Sequence, residues 1–270
     1  MQPLELNAEF RYILDCLEKE HRHVFITGRA GTGKSTLLQL FRQTTAKKVA
    51  VVAPTGIAAL NVKGQTIHSF FGFPPRLFDP GEIRKKKSHR LYKSLDALII
   101  DEVSMVRADI FDHIDLFLRR NRENNRPFGG LQLILFGDLF QLPPVVSDQE
   151  SPYFYARYPN PFFFAAAAFQ SLDMDFVELS KVYRQDNIHF LKLLDAIRLN
   201  RIDPEELEEL NQRHLPKVRD PAEGPYLTLS ARNYSVDALN MKKLAELPGK
   251  PQLFQAGIYG QFDPRSYPTD

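Results

Sequence analysis

Tryptophan is absent from the chain, and cysteine occurs once, at Cys16. A single thiol cannot close an internal disulfide, which excludes a disulfide-stapled scaffold and suits a reducing compartment. Cys16 lies among Phe10, Ile13, Leu14 and Leu17 at helical spacing, so a buried structural thiol is expected. No apolar run approaches the roughly 20 residues needed to cross a bilayer. The N-terminus has no basic-then-apolar signal pattern, and no internal repeat is visible. An excess of one charge is missing too: 35 Lys and Arg against 33 Asp and Glu leave +2. Any affinity for nucleic acid must therefore come from local patches. At 43% hydrophobic and 25% charged residues, the 270-residue chain has room for one large or two smaller globular domains. A soluble intracellular protein is expected, with no membrane partner: cytoplasmic in a bacterium, nuclear or mitochondrial in a eukaryote.

Against these absences stands Gly-Arg-Ala-Gly-Thr-Gly-Lys-Ser-Thr at 28–36, directly after the apolar run Val24-Phe25-Ile26. It matches the phosphate-loop pattern G-x-x-x-x-G-K-[ST]. Gly28, Ala30, Gly31, Thr32, Gly33 and Thr36 would wrap backbone N–H groups around phosphate oxygens. Lys34 would reach the β- and γ-phosphates, and the Ser35 hydroxyl would bind Mg²⁺. The apolar helix that follows, with Leu37, Leu38, Leu40 and Phe41, would aim its positive end at the same phosphates. ATP and Mg²⁺ are the expected cofactors.

Apolar runs at Val24–Thr27, Val49–Ala53, Ala97–Ile100, Leu131–Phe136 and Phe176–Leu179 read as buried strands bounded by Gly, Pro or charged residues. Val103, Val106, Ile110, Ile114 and Phe117 fall on one helix face. Strands alternating with helices predict an α/β fold, a mostly parallel sheet covered on both faces. Two segments break the rhythm: a Pro-rich and then basic insertion at about 72–95, and an aromatic stretch at 151–169. Beyond about residue 180 helical patterns dominate. Asp203-Pro204-Glu205-Glu206 reads as a helix start. A strand at Tyr226–Leu229 precedes a helix that Ser235 could cap. The last 20 residues are rich in Pro and Gly and close no pattern.

Leu98-Ile99-Ile100-Asp101-Glu102 is an apolar strand ending in two carboxylates. Asp101 would hold Mg²⁺, and Glu102 would orient or deprotonate the attacking water. Leu135-Phe136-Gly137-Asp138 is a further strand end, followed by Gln141, whose amide could bond a γ-phosphate. Taken alone, this is better read as a polar turn before Pro143-Pro144. Arg184, in Val182-Tyr183-Arg184-Gln185, could act as an arginine finger; by itself it reads as a surface residue.

In this order the four pieces resemble a superfamily-one DNA helicase of the PIF family, relatives of RecD that move 5′ to 3′ on single-stranded DNA. Ala53-Pro54-Thr55-Gly56-Ile57-Ala58-Ala59 and Thr66-Ile67-His68-Ser69-Phe70 resemble the segments that grip single-stranded DNA. Asp101-Glu102-Val103-Ser104-Met105 resembles the metal motif, Phe128 to Pro144 the phosphate-sensing motif, and Val182 to Gln185 the arginine motif. The resemblance implies a RecA-like nucleotidase domain over 1–180 and an incomplete second RecA-like domain over 181–270. It also implies single-stranded and forked duplex DNA as partners, a monomer, and roles in DNA repair, recombination and telomere maintenance. Two departures stand out. Leu6-Asn7-Ala8-Glu9 is followed by Phe10, where the family places a Gln that reads adenine. The family's later motifs are absent before Asp270. A motor fragment is therefore expected, one that binds Mg-nucleotide, holds DNA weakly and does not unwind it.

For DNA, the resemblance points to Pro54, Thr55, Thr66 and His68. Phe70, Phe71 and Phe73 could stack on bases or pack in the core. Lys85, Lys86 and Lys87, in a stretch with six Lys and Arg over 84–93, read as a DNA-facing wedge or a solvated loop. Two other readings stay open: an AAA-type ATPase, and a nucleotide-dependent DNA-binding module without turnover.

Overall fold

Six short runs, all but one strongly apolar, pair into one parallel sheet in the computed structural model, which describes residues 8–183, 187–214, 228–250, 252 and 257. The strands are β1 (His23–Gly28), β2 (Val49–Ala53), β3 (Gln65–Thr66), β4 (Ala97–Ile100), β5 (Gln132–Phe136) and β6 (Met174–Leu179). Their order is β3-β2-β4-β5-β1-β6, with every pairing parallel. β5 thus separates the phosphate-loop strand from the strand carrying the two carboxylates. The expected strands are found within two residues at each end. The exceptions are β3, which carries no apolar signal, and Tyr226–Leu229, whose first half lies outside the described residues.

Each central strand is buried on both faces, and alternate residues feed two cores. Leu98, Ile100, Leu133 and Leu135 point into one, where Phe71, Phe111, Phe117 and Phe128 are fully buried. Ala97, Ile99, Ile134 and Phe136 point into the other, against Phe10, Ile13 and Leu17 of α1 (Ala8–Lys19) and Leu37, Leu38 and Phe41 of α2 (Lys34–Thr44). Cys16 is only half-buried, because it sits one position off the buried face of α1. This corrects the expectation of a buried thiol.

Past β2 come α3 (Gly56–Asn61), α4 (Ile67–Phe71) and α5 (His89–Lys93), followed by α6 (Ala108–Arg122). Val103 and Val106 share the buried face expected for α6 but precede it: Val103–Met105 is a 3₁₀ turn, and the helix begins at Ala108. The aromatic stretch forms α7 (Ser151–Tyr155) and α8 (Ala167–Gln170). Then come α9 (Ile188–Arg198) and α10 (Pro204–Asn211). The latter starts where expected: Asp203 Oδ1 accepts from the Glu206 N–H at 2.8 Å, and Glu206 Oε2 accepts from the Asp203 N–H at 3.2 Å.

The chain divides into two compact units, Met1–Leu210 and Asn211–Asp270. The break falls later than the expected 180/181, because ion pairs tie α9 into the first unit: Arg29–Asp195 at 3.1 Å and Arg198–Asp138 at 3.0 Å. In the second unit α11 (Asn233–Ala245) follows Arg232, so Ser235 lies inside its first turn rather than at its cap.

Candidate nucleotide and DNA site

All the chemistry-bearing loops leave the carboxyl edge of the sheet, where an open parallel sheet gathers ligands. The loop after β1 turns sharply. A Cβ on Gly28 would lie 2.6 Å from the Leu179 carbonyl oxygen, and Gly33 caps α2 at φ 89°. Thr32 Oγ1 donates to the Arg29 carbonyl at 2.9 Å, and the Tyr183 N–H donates to the Gly31 carbonyl at 2.8 Å, fixing the loop from both sides. Lys34 Nζ donates to the Gly28 carbonyl at 2.7 Å and the Arg29 carbonyl at 3.1 Å. The ammonium is thereby held over the loop. Burial lowers its pKa, and the carboxylate of Asp138 opposes that shift. Ala30, Gly31, Gly33, Lys34, Ser35 and Thr36 line a cavity of about 640 Å³ that Glu102, Gln141 and Tyr183 complete.

Asp101 and Glu102 follow β4 as expected. Asp101 is buried, and its pKa is pushed up to about 6, first by burial and then by the neighbouring Glu102 charge. Glu102 is held left-handed at φ 50°, a strained backbone position that carries its carboxylate to the cavity wall. Ser35, Asp101, Glu102 and Gln141 share a second cavity of about 250 Å³ with Thr55. A desolvated carboxylate, a second carboxylate and an exposed hydroxyl are the donor set that suits a hard divalent cation. These residues therefore fit Mg²⁺.

The turn after β5 brings in the amide. Asp138 is buried, and its carboxylate accepts from the Phe140 N–H at 3.1 Å and from Gln141 Nε2 at 3.4 Å. Arg198 Nη2 donates to Asp138 Oδ1 at 3.0 Å, with the guanidinium 4.3 Å above the Phe140 ring. Sequence reasoning passed over Arg198, Asp195 and the structural part played by Asp138. Arg184 lies outside the described residues, as do Leu6 and Asn7. Phe10 packs beneath the loop, where a Cβ on Gly33 would lie 2.9 Å from its ring, and meets Tyr183 edge-on at 6.3 Å.

Thr55 caps α3 by accepting from the Ala58 N–H at 3.2 Å, and Thr66 caps α4 by accepting from the Ser69 N–H at 3.2 Å. Each hydroxyl keeps its own proton to donate. Pro54 and His68 line a third cavity of about 250 Å³ with Arg76, Arg107, Met105 and Glu150. His68 Nδ1 is buried and has no hydrogen-bond partner among the described residues.

Of its two open readings the Phe cluster takes the core one, and the basic stretch is partly paired within the fold. Phe71 and Phe73 are core residues, with rings stacked 5.3 Å apart. The half-buried ring of Phe70 packs edge-on against Phe71 at 4.9 Å and Tyr92 at 5.5 Å, so the trio makes a core corner rather than a stacking face. Of the lysines, Lys85 pairs with Glu123, which Lys93 also engages, and the Lys86 N–H donates to Asn121 Oδ1 at 2.8 Å. Lys87 is exposed. Part of the local positive charge is thus neutralised within the fold.

A family model for PIF1-like helicases matches residues 5–215. The ATP-dependent DNA helicase PIF1 of Saccharomyces cerevisiae (strain YJM789) is 36% identical over 268 residues, covering 94% of this chain and 30% of that protein. Human PIF1, also named an ATP-dependent DNA helicase, is 35% identical over 240 residues, covering 86% of this chain and 36% of that protein. Among solved structures, Pif1 helicase from Bacteroides in complex with ADP-AlF3 and single-stranded DNA superposes with a TM-score of 0.85 at 36% identity. That match covers 99% of this chain and 63% of the solved one. The chain thus spans about a third of the length of these curated relatives. Its sheet order and its phosphate loop, carboxylate pair and Gly-Asp-x-x-Gln turn are now accounted for together: the chain belongs to the PIF1-like helicase family.

Proposed function

We propose that this chain carries the first motor domain of an ATP-dependent DNA helicase that moves 5′ to 3′ on single-stranded DNA. One observation carries the reading. Lys34, Ser35, Asp101, Glu102 and Gln141, drawn from three loops, converge on adjoining cavities at one edge of the sheet, and Thr55 lines one of them. Lys34 would exchange its loop carbonyls for β- and γ-phosphate oxygens. Ser35 and Asp101 would hold Mg²⁺, which supplies charge neutralisation of the phosphates when bound. Glu102 would take the proton of the attacking water, and Gln141 would bond the γ-phosphate while it is present. α11, which lies in the second unit, is read as belonging to the opening of a second RecA-like domain. Arg184 is assigned the arginine-finger role.

Pro54, Thr55, Thr66 and His68 are proposed to follow the DNA backbone, with Lys85, Lys86 and Lys87 near the fork. The solved relatives include Pif1 helicases at forked double-stranded DNA, which supports forked duplex as a substrate here. A monomer is proposed as the working unit. The test is Mg-ATP turnover with and without single-stranded DNA, alongside strand separation on 5′-tailed duplexes. DNA-stimulated turnover that Lys34→Ala removes supports the reading. Nucleotide-dependent DNA binding without any turnover would instead favour a binding module.

A further inference from the structure

We propose that Arg198 is a positioning residue for ATP hydrolysis. It holds the turn Gly137–Gln141, through Asp138, where Gln141 faces the phosphate-loop cavity. The inference rests on the ATPase reading above and adds to it a residue from outside the four motifs.

Asp138 is 2% exposed, so its charge is excluded from water and must be matched inside the protein. Its carboxylate meets three donors: the Phe140 N–H, the Gln141 side-chain amide and Arg198 Nη2. The first two belong to the turn itself, so the third decides where the turn sits. Arg198 also covers the Phe140 ring at 4.3 Å, which fixes the turn at a second point. The Nε–H of Arg198 is buried and has no partner among the described residues. The guanidinium is held by Asp138 and Phe140.

One turn earlier on α9, Asp195 pairs with Arg29 of the phosphate loop at 3.1 Å. A single helix therefore fixes the loops that follow both β1 and β5.

The test uses the 270-residue chain with Arg198→Met, Arg198→Lys, Asp138→Asn and the Arg198→Met/Asp138→Asn double variant. Turnover gives kcat and KM, displacement of a fluorescent nucleotide gives affinities for Mg-ADP and Mg-ADP–aluminium fluoride, and melting confirms folding. In Arg198→Met, kcat and aluminium-fluoride affinity should fall on the order of 10²-fold, the cost of misplacing a group by about 1 Å. Mg-ADP affinity should stay within about twofold. Arg198→Lys keeps the charge without the planar cover on Phe140 and should recover part of the loss. The double variant should lose no more than the worse single variant, since the two residues act as one unit. Unchanged kcat and aluminium-fluoride affinity in Arg198→Met, a parallel loss of Mg-ADP affinity, or additive losses in the double variant would each overturn the positioning role. Failure of the unaltered chain to bind Mg-ADP would instead overturn the ATPase reading beneath it.

Discussion

Glu123→Gln should strengthen the grip on single-stranded DNA. Glu123 is the C-cap of α6, in the left-handed region at φ 55°, and it engages Lys85 and Lys93 together. Those two hydrogen-bonded ammonium groups hold its pKa at about 2, so it stays ionised at any working pH. Both lysines are partly exposed, with side-chain exposures of 46% and 38%. Glutamine keeps the shape and removes the charge, releasing two cations toward solvent. Each phosphate contact on a single strand contributes about 0.7 to the slope of log affinity against log salt, so the slope should steepen by up to about 1.4. Between 50 and 200 mM salt that amounts to roughly sevenfold more loss of affinity than in the unaltered chain. Fluorescence anisotropy of a labelled oligothymidine at several salt concentrations reads this directly. Neutralising Lys85, Lys86 and Lys87 should flatten the slope by up to about 1.4, and by up to about 2.1 when Glu123→Gln has first freed Lys85. Melting temperature should not move, because exposed pairs contribute little to stability. An unchanged slope in both experiments would show that the basic stretch is a solvated loop away from the DNA.

Lys34→Ala should abolish productive Mg-ATP binding and turnover, and nucleotide titration that finds both intact would remove the phosphate-loop assignment. Glu102→Gln should keep Mg-ATP binding and slow hydrolysis on the order of 10²-fold; lost nucleotide binding would make Glu102 a metal ligand or a structural residue instead. Arg107 donates to Asp109 at 2.9 and 2.7 Å and to Glu150 at 3.0 Å, and Asp109 is 2% exposed. Arg107→Met should therefore cost about 3–5 kcal/mol in denaturant titrations, because it strands a buried charge. Arg76→Met, which breaks the exposed pair with Glu82, should cost about 1 kcal/mol or less. Equal losses at the two positions would refute this ranking.

The parts of the site that the chain announces locally are those built from its backbone. A phosphate loop needs left-handed turns at fixed spacing, so glycine at 28, 31 and 33 betrays it. A carboxylate at a strand tip needs an apolar run before it, and Ala97–Ile100 supplies one. Where the local pattern is ambiguous, the reading drifts. Gln65–Thr66 pairs as β3 without any apolar residue, and so escapes detection. Val103 and Val106 mimic the onset of α6, because a 3₁₀ turn also repeats every three residues. Phe70, Phe71 and Phe73 carry no mark that separates a stacking face from a core corner; α5 and α6 decide, by bringing Tyr92 and Phe117 against them.

Arg198 is the extreme case. Its partner Asp138 lies sixty residues away in the chain, and nothing in the α9 sequence distinguishes it from a solvated helix-end cation. Yet the same topology that hides it makes it necessary. Because β5 lies between β1 and β4, the Gly137–Gln141 turn projects between the phosphate loop and the carboxylates. A turn in that position, lacking a helix of its own, needs an anchor from a later element. The sheet order sets that requirement, and α9 meets it with Arg198 on the turn and Asp195 on the neighbouring loop.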